Sequence, residues 1–387
     1  MIPPNRIYLD YNSTTPVRAE VEEAMRPFAR QIYANAASRH SAGQEAWSVL
    51  EKARERIADL VGASADDVIF TSGAMESNFL ALLGRFEYLI QEGCRPSHIR
   101  VAVSALEHPC VIACAKEMRR RGAKVHDIPA TAQGVIALDF FNGQKPYDIV
   151  SVMAANHETG AIQPLADIAA RLDAKTTFFH TDAAQWAGRI EGSMDEWNVS
   201  AISLSAHKMY GPKGIGALIV RQGTRLLPIF PGSQEAGMRG GTVNVAGAVG
   251  FGVAVEFMKK ERKNEATRLY GLREMLWEKL ASGPLELIRT VAAEHSLPNT
   301  LHVRLAGWKG ERVVAALDRW GICCSSGPAC SAGSVVASPV LMAMGLGESE
   351  AWEGVRFSMG METTEEDIWL AGERILHWLE DQAPRDT

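Results

Sequence analysis

A lysine and an aspartate each follow a short segment of small and apolar residues. Lys208 stands after residues 203–207 and before a turn rich in glycine and proline, and Asp182 stands after residues 179–181. A lysine amine can bind a carbonyl cofactor covalently, and a carboxylate can pair with the protonated ring nitrogen of pyridoxal phosphate (PLP). The two residues therefore suggest a PLP site, although taken alone Lys208 could be a surface residue and Asp182 a helix N-cap.

A turn of small residues could bind the phosphate group of such a cofactor. Residues 71–73 lie between the apolar segment 67–70 and a predicted helix that begins at Ala74. Backbone N–H groups at a helix N-terminus are free to bind an anion, so the backbone at Ala74 and Met75 is the candidate. Many α/β proteins contain a turn of this kind, so it supports a PLP site only in combination with the lysine and the aspartate.

These residues lie where short apolar runs alternate with helical patterns. Such alternation predicts an open, mostly parallel α/β sheet, whose ligands bind at the carboxyl ends of the strands. Lys208 and Asp182 then fall at the ends of two strands of one sheet. The predicted strands are 67–70, 98–103, 148–153, 176–180, 201–204 and 214–220, with helices over 74–89 and 109–121.

The pattern changes after about residue 244. A long helical stretch carries Val249, Val253 and Phe257 on one face. Separate strands and helices follow it, which predicts a smaller α+β domain: strands 285–289 and 300–303, helices 310–320 and 364–379. We expect a large domain over residues 16–260 and a small domain formed by residues 1–15 and 261–387.

Composition restricts the function further. Lys and Arg total 40 against 46 Asp and Glu, and the net charge of −6 disfavours direct nucleic-acid binding. No run reaches the ~18 apolar residues of a membrane span, and residues 1–6 lack a signal-peptide pattern, so we expect a cytoplasmic protein without membrane contact. Cys110 and Cys114 lack the second ligand pair of a zinc site, so we expect no metal and interpret both cysteines as core residues.

Several segments together resemble the cysteine desulfurases of the class V aminotransferase group, which are fold type I PLP enzymes. The resemblance covers nearly the whole chain, and the order and spacing of its segments make it specific. The matching segments are 8–16, 71–74, 76–78, 107–108, 156–160, 180–185, 205–208, 234–242, 325–333 and 356–360. The resemblance implies a large domain with a mostly parallel seven-stranded sheet, a smaller α+β domain and PLP as the cofactor.

The resemblance also implies a role for each matching residue. Lys208 would carry PLP and move protons, His108 would stack on the ring as an acid–base group, and Cys330 would receive the sulfur. Asp182 would pair with the ring nitrogen. Further cofactor contacts would come from Gln185, Ala74, Met75, His157, Ser205, His207 and, across a homodimer, Thr242. The substrate would be bound by Asn35, Arg356 and Asn156.

These roles imply a PLP-dependent desulfurase that converts L-cysteine to L-alanine. The Cys330 thiolate would take the substrate sulfur as a persulfide and deliver it to a sulfur-accepting protein, such as an iron–sulfur scaffold or a sulfur carrier. Selenocysteine lyase and another class V activity such as an aminotransferase are the alternatives. Cys330 favours the desulfurase, because a plain aminotransferase has no need of that thiol. Cys323 and Cys324 are interpreted as core residues rather than sulfur relays.

Two cofactor positions depart from the family's pattern. His157 stands where the second Asn of an Asn-Asn-Glu motif is usual, and Met75 stands where Thr is usual. An imidazole can donate the same hydrogen bond to the ring oxygen of PLP, and backbone N–H groups can hold the phosphate without the Thr hydroxyl. We therefore expect function to persist with altered tuning of the cofactor.

Overall fold

The computed structural model describes residues 6–284, 286–327 and 336–382. Its strands are β1 (Ile7–Tyr8), β2 (Val68–Thr71), β3 (Arg100–Ser104), β4 (Lys124–Ile128), β5 (Ile149–Ser151), β6 (Phe178–Asp182), β7 (Ala201–Ser205), β8 (Gly216–Val220), β9 (Leu287–Arg289), β10 (Thr300–Leu305), β11 (Ile322–Cys323) and β12 (Gly354–Ser358). Its α-helices are α1 (Ala19–Met25), α2 (Ser41–Val61), α3 (Ala74–Gln91), α4 (Pro109–Arg120), α5 (Leu165–Ala169), α6 (Met194–Trp197), α7 (Val245–Ala281), α8 (Gly310–Arg319), α9 (Pro339–Ala343), α10 (Glu348–Ala351) and α11 (Glu365–Gln382).

The largest sheet has seven strands in the order β2-β8-β7-β6-β5-β3-β4. Strand β8 runs antiparallel to its neighbours β2 and β7, and the remaining pairs are parallel. Parallel neighbours need crossover connections, and α4, α5 and α6 lie in the connections β3–β4, β5–β6 and β6–β7. The prediction of a mostly parallel seven-stranded sheet is confirmed.

Apolar side chains cover both faces of this sheet, because successive residues of a strand point to opposite faces. Val150 and Ile202 pack with α2 and the first part of α7, whereas their neighbours Ile149 and Ala201 pack with α3 and α4. Burial on both faces is typical of parallel sheets. It holds the strands in place, so the strand ends are fixed points from which functional side chains can project.

A second core lies outside the large sheet. It joins the antiparallel sheet β12-β10-β9 and the parallel pair β1-β11 to α8 and α11. Helix α7 contributes to both cores, through Phe251 near its start and Leu276 near its end. Cys324 is buried in the second core, and Cys323 on β11 is half-buried. The predicted smaller α+β part is therefore present, and the domain limits at residues 15 and 260 stay predictions.

Four strands were not predicted: β4, β12 and the two-residue strands β1 and β11. Strand β4 lies at the edge of the large sheet and carries polar side chains at Lys124, His126 and Asp127, so it shows no apolar run. Strand β12 is buried but interrupted by Arg356, which hides its apolar alternation. Within the described ranges, no helix is long and apolar enough to cross a membrane.

Candidate active site

A cavity of about 540 Å³ opens where β5, β6 and β7 reach their carboxyl ends. Open α/β sheets bind ligands at this edge, and the volume suits a small molecule or cofactor. The predicted residues that line the cavity are Ala74, Met75, His108, His157, Asp182, Gln185, Ser205, His207, Lys208 and Arg356. The structure thus brings together residues that are up to 282 positions apart in the chain, from Ala74 to Arg356.

Lys208 lies directly after β7, at the end of the helical turn Ala206–Lys208. Every residue of β7 is buried, which fixes the point from which the lysine reaches the cavity. Its Nζ donates to the backbone oxygens of Asn12 at 2.6 Å and Ser13 at 2.8 Å. The N-terminal segment of the chain therefore runs beside the amine and orients it.

Asp182 is the last residue of β6 and is 6% exposed. One carboxylate oxygen accepts a hydrogen bond from Nδ2 of Asn78 at 2.7 Å, and the other accepts from the backbone N–H of Ala184 at 3.0 Å. Both contacts fix the rotation of the carboxylate. A fixed, buried anion at the floor of the cavity is suited to pair with a protonated ring nitrogen.

Gln185 also lines the cavity, and its amide has a defined orientation. Its Nε2 donates to the backbone oxygen of Asn12 at 2.9 Å, and its Oε1 accepts from the guanidinium of Arg189 at 3.0 Å. Because a guanidinium only donates, the amide oxygen must face Arg189. The NH2 group then has a second N–H that is available for a ligand oxygen.

The start of α3 forms the part of the cavity where the sequence predicts phosphate binding. The first N–H groups of an α-helix have no partner within the helix, and Ala74 and Met75 are the first two residues of α3. The turn before them lies against β8: a Cβ at Gly216 would be 2.6 Å from the Cα of Gly73. Only glycine at position 216 allows this close approach, which places the helix N-terminus at the cavity.

Two histidines in the wall of the cavity, His108 and His157, pack edge to face with ring centroids 5.3 Å apart. His108 is the N-cap of α4, and its Nδ1 accepts from the backbone N–H of Cys110 at 3.3 Å. Burial lowers the pKa of His108; Lys208 acts in the same direction, and Asp182 opposes it. Burial also holds the pKa of His157 well below its usual range. Both rings are therefore neutral near pH 7.

His157 has a buried Nδ1 without a hydrogen-bond partner. Its Nε2 lies 3.8 Å from a carboxylate oxygen of Glu158. A buried polar atom without a partner is costly. The residue lines the cavity, and its contact with a ring oxygen of the cofactor stays a prediction.

Arg356 enters the cavity from β12, on the side of the second core, and is 4% exposed. Its guanidinium donates to the backbone oxygen of His157 at 2.6 Å, to a carboxylate oxygen of Asp10 at 2.6 Å and to the hydroxyl of Ser13 at 2.9 Å. Its Nε is buried without a partner. The guanidinium is well placed to bind a substrate carboxylate, although one of its terminal nitrogens already donates to Asp10.

Some predicted residues do not line the cavity. Asn35 is exposed, and its side-chain oxygen accepts from the backbone N–H of Ala37 at 2.9 Å. Thr242 is exposed. Asn156 is buried, with its oxygen bonded to the N–H groups of Glu158 and Thr159. These three roles stay predictions, and Cys330 lies outside the residues that the structure describes.

Asn78 and Cys110 were not singled out as site residues by sequence reasoning, yet both contact predicted ones. Asn78 binds Asp182, and the thiol of Cys110 lies 3.0 Å from Nδ1 of His108. Asn78 lies within one of the segments that resemble the family, so the sequence did offer a signal for it. The sequence gave no signal for Cys110, because residues two positions apart on a helix do not share a face. Its contact with His108 arises because His108 is the N-cap residue of α4.

Comparison with known proteins identifies relatives over almost the full length. The family model described as aminotransferase class-V matches residues 7–370. Cysteine desulfurase IscS of Dictyoglomus turgidum is 38% identical over 365 residues, which cover 94% of this chain and 91% of that protein. A solved NifS-like protein is 34% identical with a TM-score of 0.89 and covers 97% of this chain and 100% of its own. SspA in complex with cysteine is 32% identical, with a TM-score of 0.79 and coverage of 91% and 98%.

Proposed function

This chain belongs to the class V aminotransferase family, and from its relatives and its cavity we infer that it is a cysteine desulfurase. Such an enzyme converts L-cysteine to L-alanine and hands the sulfur to an acceptor. The observation that carries this conclusion is the convergence of Lys208, Asp182, His108 and Arg356 on one cavity in a chain with these relatives. One of them, SspA, was solved with cysteine bound, which supports L-cysteine as the substrate.

The cavity fits PLP as the cofactor. It offers an amine for the aldehyde (Lys208), a carboxylate for the ring nitrogen (Asp182) and a helix N-terminus for the phosphate (Ala74 and Met75). The imidazole of His157 and the second N–H of Gln185 could each donate to a ring oxygen. Ser205 and His207 line the same end of the cavity and would add to the phosphate contacts.

The chain's own residues would then divide the work. Bound PLP would supply electron withdrawal from Cα of the attached substrate, so that Cα loses its proton more readily. Lys208, once displaced by the substrate amine, would take that proton. His108 would cover the ring, and the Arg356 guanidinium would orient the substrate carboxylate, as the planar fork of an arginine does well.

Sulfur would leave through Cys330. Its thiolate would attack the substrate sulfur, so that an S–S bond forms, the Cβ–S bond breaks, and the electron pair of that bond stays on the carbon side. Protonation of the carbon chain then gives alanine. The sum is cysteine plus the Cys330 thiol giving alanine plus the Cys330 persulfide, which balances in atoms and electrons.

A second copy of the chain and a sulfur acceptor complete the proposal. Thr242 would reach the phosphate bound by the partner in a homodimer. Its exposure supports this, as does Phe230, which is 57% exposed on the preceding segment. The acceptor would be a protein such as an iron–sulfur scaffold or a sulfur carrier, which the persulfide must meet.

The test is sulfide and alanine release from L-cysteine in the presence of a thiol reductant. We expect the wild type to be active and Cys330→Ser to lose at least about 100-fold while still binding PLP, because a removed nucleophile abolishes its step. Cys94→Ser, at an exposed cysteine, is the control and should match the wild type. Full activity in Cys330→Ser would indicate a lyase without a cysteine nucleophile, and turnover of selenocysteine alone would indicate a selenocysteine lyase.

A further inference from the structure

Four side chains form a network of polar contacts in the wall of the cavity, and three of them, His108, Cys110 and Asp182, line it directly. Nδ2 of Asn78 lies 2.7 Å from Oδ2 of Asp182 and 3.3 Å from Sγ of Cys110, and that sulfur lies 3.0 Å from Nδ1 of His108. Asn78 is fully buried, and Cys110 is 9% exposed. This network links Asp182, whose carboxylate is predicted to hold the cofactor ring, to His108, whose imidazole is predicted to cover that ring.

The direction of each contact follows from the chemistry of the groups. A carboxylate only accepts, so Asn78 must turn its NH2 group, and not its oxygen, toward Asp182. The second N–H of the same group then points to the sulfur of Cys110, which accepts. This leaves the S–H of Cys110 to donate to Nδ1 of His108. Burial, with Asp182 adding to it, raises the pKa of the Cys110 thiol to about 12, so the thiol keeps its proton.

A second donor faces the same nitrogen of His108. The backbone N–H of Cys110 points to Nδ1 at 3.3 Å, as the helix N-cap arrangement requires. With two donors in front of it, Nδ1 must act as an acceptor and cannot carry a proton. The proton of the neutral ring therefore sits on Nε2, on the other side of the imidazole.

We propose that Cys110 is a positioning residue that fixes this tautomer of His108, so that the ring presents a neutral Nε2–H to the cavity. Which ligand atom the Nε2–H of His108 contacts in the cavity rests on the proposed function, whereas the tautomer itself does not. In this state His108 donates a hydrogen bond from Nε2 but does not accept a proton there. Removal of the Cα proton is then left to Lys208.

Other charged or titratable groups face His108 from three further elements. They are Asp182 at the end of β6, Lys208 after β7 and His157 after β5. The carboxylate favours an imidazolium, and the lysine disfavours one. Protonation of Nδ1 would also break both hydrogen bonds from Cys110. The network thus keeps the ring neutral despite the nearby carboxylate.

The tautomer can be measured directly by nitrogen NMR of the full-length chain, labelled at histidine, with and without PLP. The His108 signal is identified by its loss in His108→Asn. We expect the wild-type spectrum to show a pyridine-type Nδ1 and a pyrrole-type Nε2. A wild-type ring with its proton on Nδ1 overturns the proposal without any variant.

Three variants separate the thiol's role from packing. In Cys110→Ala we expect the tautomer ratio to shift by about fivefold toward Nδ1–H, the factor that one net hydrogen bond represents. Cys110→Ser keeps a donor and should restore the wild-type ratio. Cys114→Ala, at a buried cysteine one turn further along α4, is the packing control and should leave the ratio unchanged. An unchanged ratio in Cys110→Ala overturns the proposal.

Activity measured on the same samples separates this inference from the proposed function. If the wild type has the expected tautomer but does not act on L-cysteine, the positioning role stands and the function fails. If the wild type is an active desulfurase with the proton on Nδ1, the function stands and the positioning role fails.

Discussion

One side of the cavity faces the large sheet, and each functional side chain there stands at the end of an element that the sheet holds in place. On the opposite side, Arg356 projects from a strand of the second core. We call these the sheet side and the second-core side. Lys208 and Asp182 follow two buried strands of the sheet, and His108 caps the helix after β3. Arg356 is held by contacts to Asp10, Ser13 and His157.

The comparison of the two sides shows which parts of the site a single copy of the chain supplies. The sheet side offers an amine (Lys208), a carboxylate (Asp182) and the N-terminus of α3 within one buried framework. Among the described residues, the second-core side offers one guanidinium, that of Arg356, whose partners include an acidic side chain, while Asn35 and Thr242 are exposed and do not line the cavity. We therefore expect changes on the sheet side to abolish catalysis and changes on the second-core side to weaken substrate binding.

The largest effect should come from Lys208 on the sheet side. Lys208→Ala and Lys208→Arg should both lower turnover of L-cysteine by at least about three orders of magnitude, because the attachment of the cofactor and the proton transfer both need the amine. Arg keeps the charge and can still donate to Asn12 and Ser13, so it controls for the structural contacts. Turnover and the visible absorption of bound PLP measure the outcome, and an active Lys208→Arg would contradict the assignment.

On the second-core side, Arg356→Lys should raise the KM for L-cysteine by about 10- to 100-fold, since a hydrogen bond to a charged group is worth about 1.5–3 kcal/mol. The value of kcat should change less. Arg304→Lys, on the neighbouring strand β10 and paired with Glu353, controls for loss of a guanidinium in the same core. If KM stays at its wild-type value in Arg356→Lys, the substrate carboxylate is bound elsewhere.

Glu158 should make stability depend on pH. Burial raises the pKa of this carboxyl to about 7, although Ser338 donates to it at 2.5 Å and Arg356 lowers the pKa. Because the folded pKa lies above the unfolded one, the folded state binds the extra proton, and this contribution to stability is lost as pH rises from about 4 to 7.

Relative to Glu158→Gln, the wild type should therefore lose on the order of 3 kcal/mol of unfolding free energy across that range. Denaturant unfolding at a series of pH values measures the difference. Glu278→Gln, at an exposed position of α7, should show no such trend. A constant difference between Glu158→Gln and the wild type from pH 4 to 8 would argue against a protonated Glu158.

The smallest effects should come from a pair of glycines. A Cβ at Gly216 would meet the backbone of Gly73 and Leu204 at 2.6 Å, whereas a Cβ at Gly271 on α7 would meet nothing within 4 Å. Gly216→Ala should therefore destabilise by about 1–3 kcal/mol and weaken PLP binding, because the turn before α3 must move. Gly271→Ala should stabilise by about 0.5–1 kcal/mol. Thermal unfolding measures both, and equal effects would remove the special role of the Gly216 contact.

Much of the sheet side could be predicted from the sequence, because local patterns carry it. The strands β2, β3 and β5 to β8 were predicted within two residues of their observed ends, since strands that are buried on both faces are continuous apolar runs. Lys208 and Asp182 follow such runs directly. The start of α3 was predicted from the turn of small residues before it, and the resemblance then added His108.

The second-core side was harder to predict, because its contacts join distant segments. No local sequence pattern indicates that Asp10 accepts a hydrogen bond from the guanidinium of Arg356, 346 positions away. On the sheet side, Asn156 was predicted to bind substrate; its amide is bonded within its own loop and to Leu106, and the role stays a prediction. The contact of Cys110 with His108 likewise depends on helix-cap geometry rather than on spacing.

The most direct test of the whole account is to locate the sulfur after one exposure to L-cysteine. The PLP-loaded wild type would be treated with L-cysteine without reductant, digested under non-reducing conditions and mapped by mass spectrometry, with Lys208→Ala treated in the same way. The account predicts one extra sulfur atom on the peptide that contains Cys330 in the wild type and none in Lys208→Ala. An unmodified Cys330 in a sample that has released alanine, or the extra sulfur on another cysteine, would contradict it.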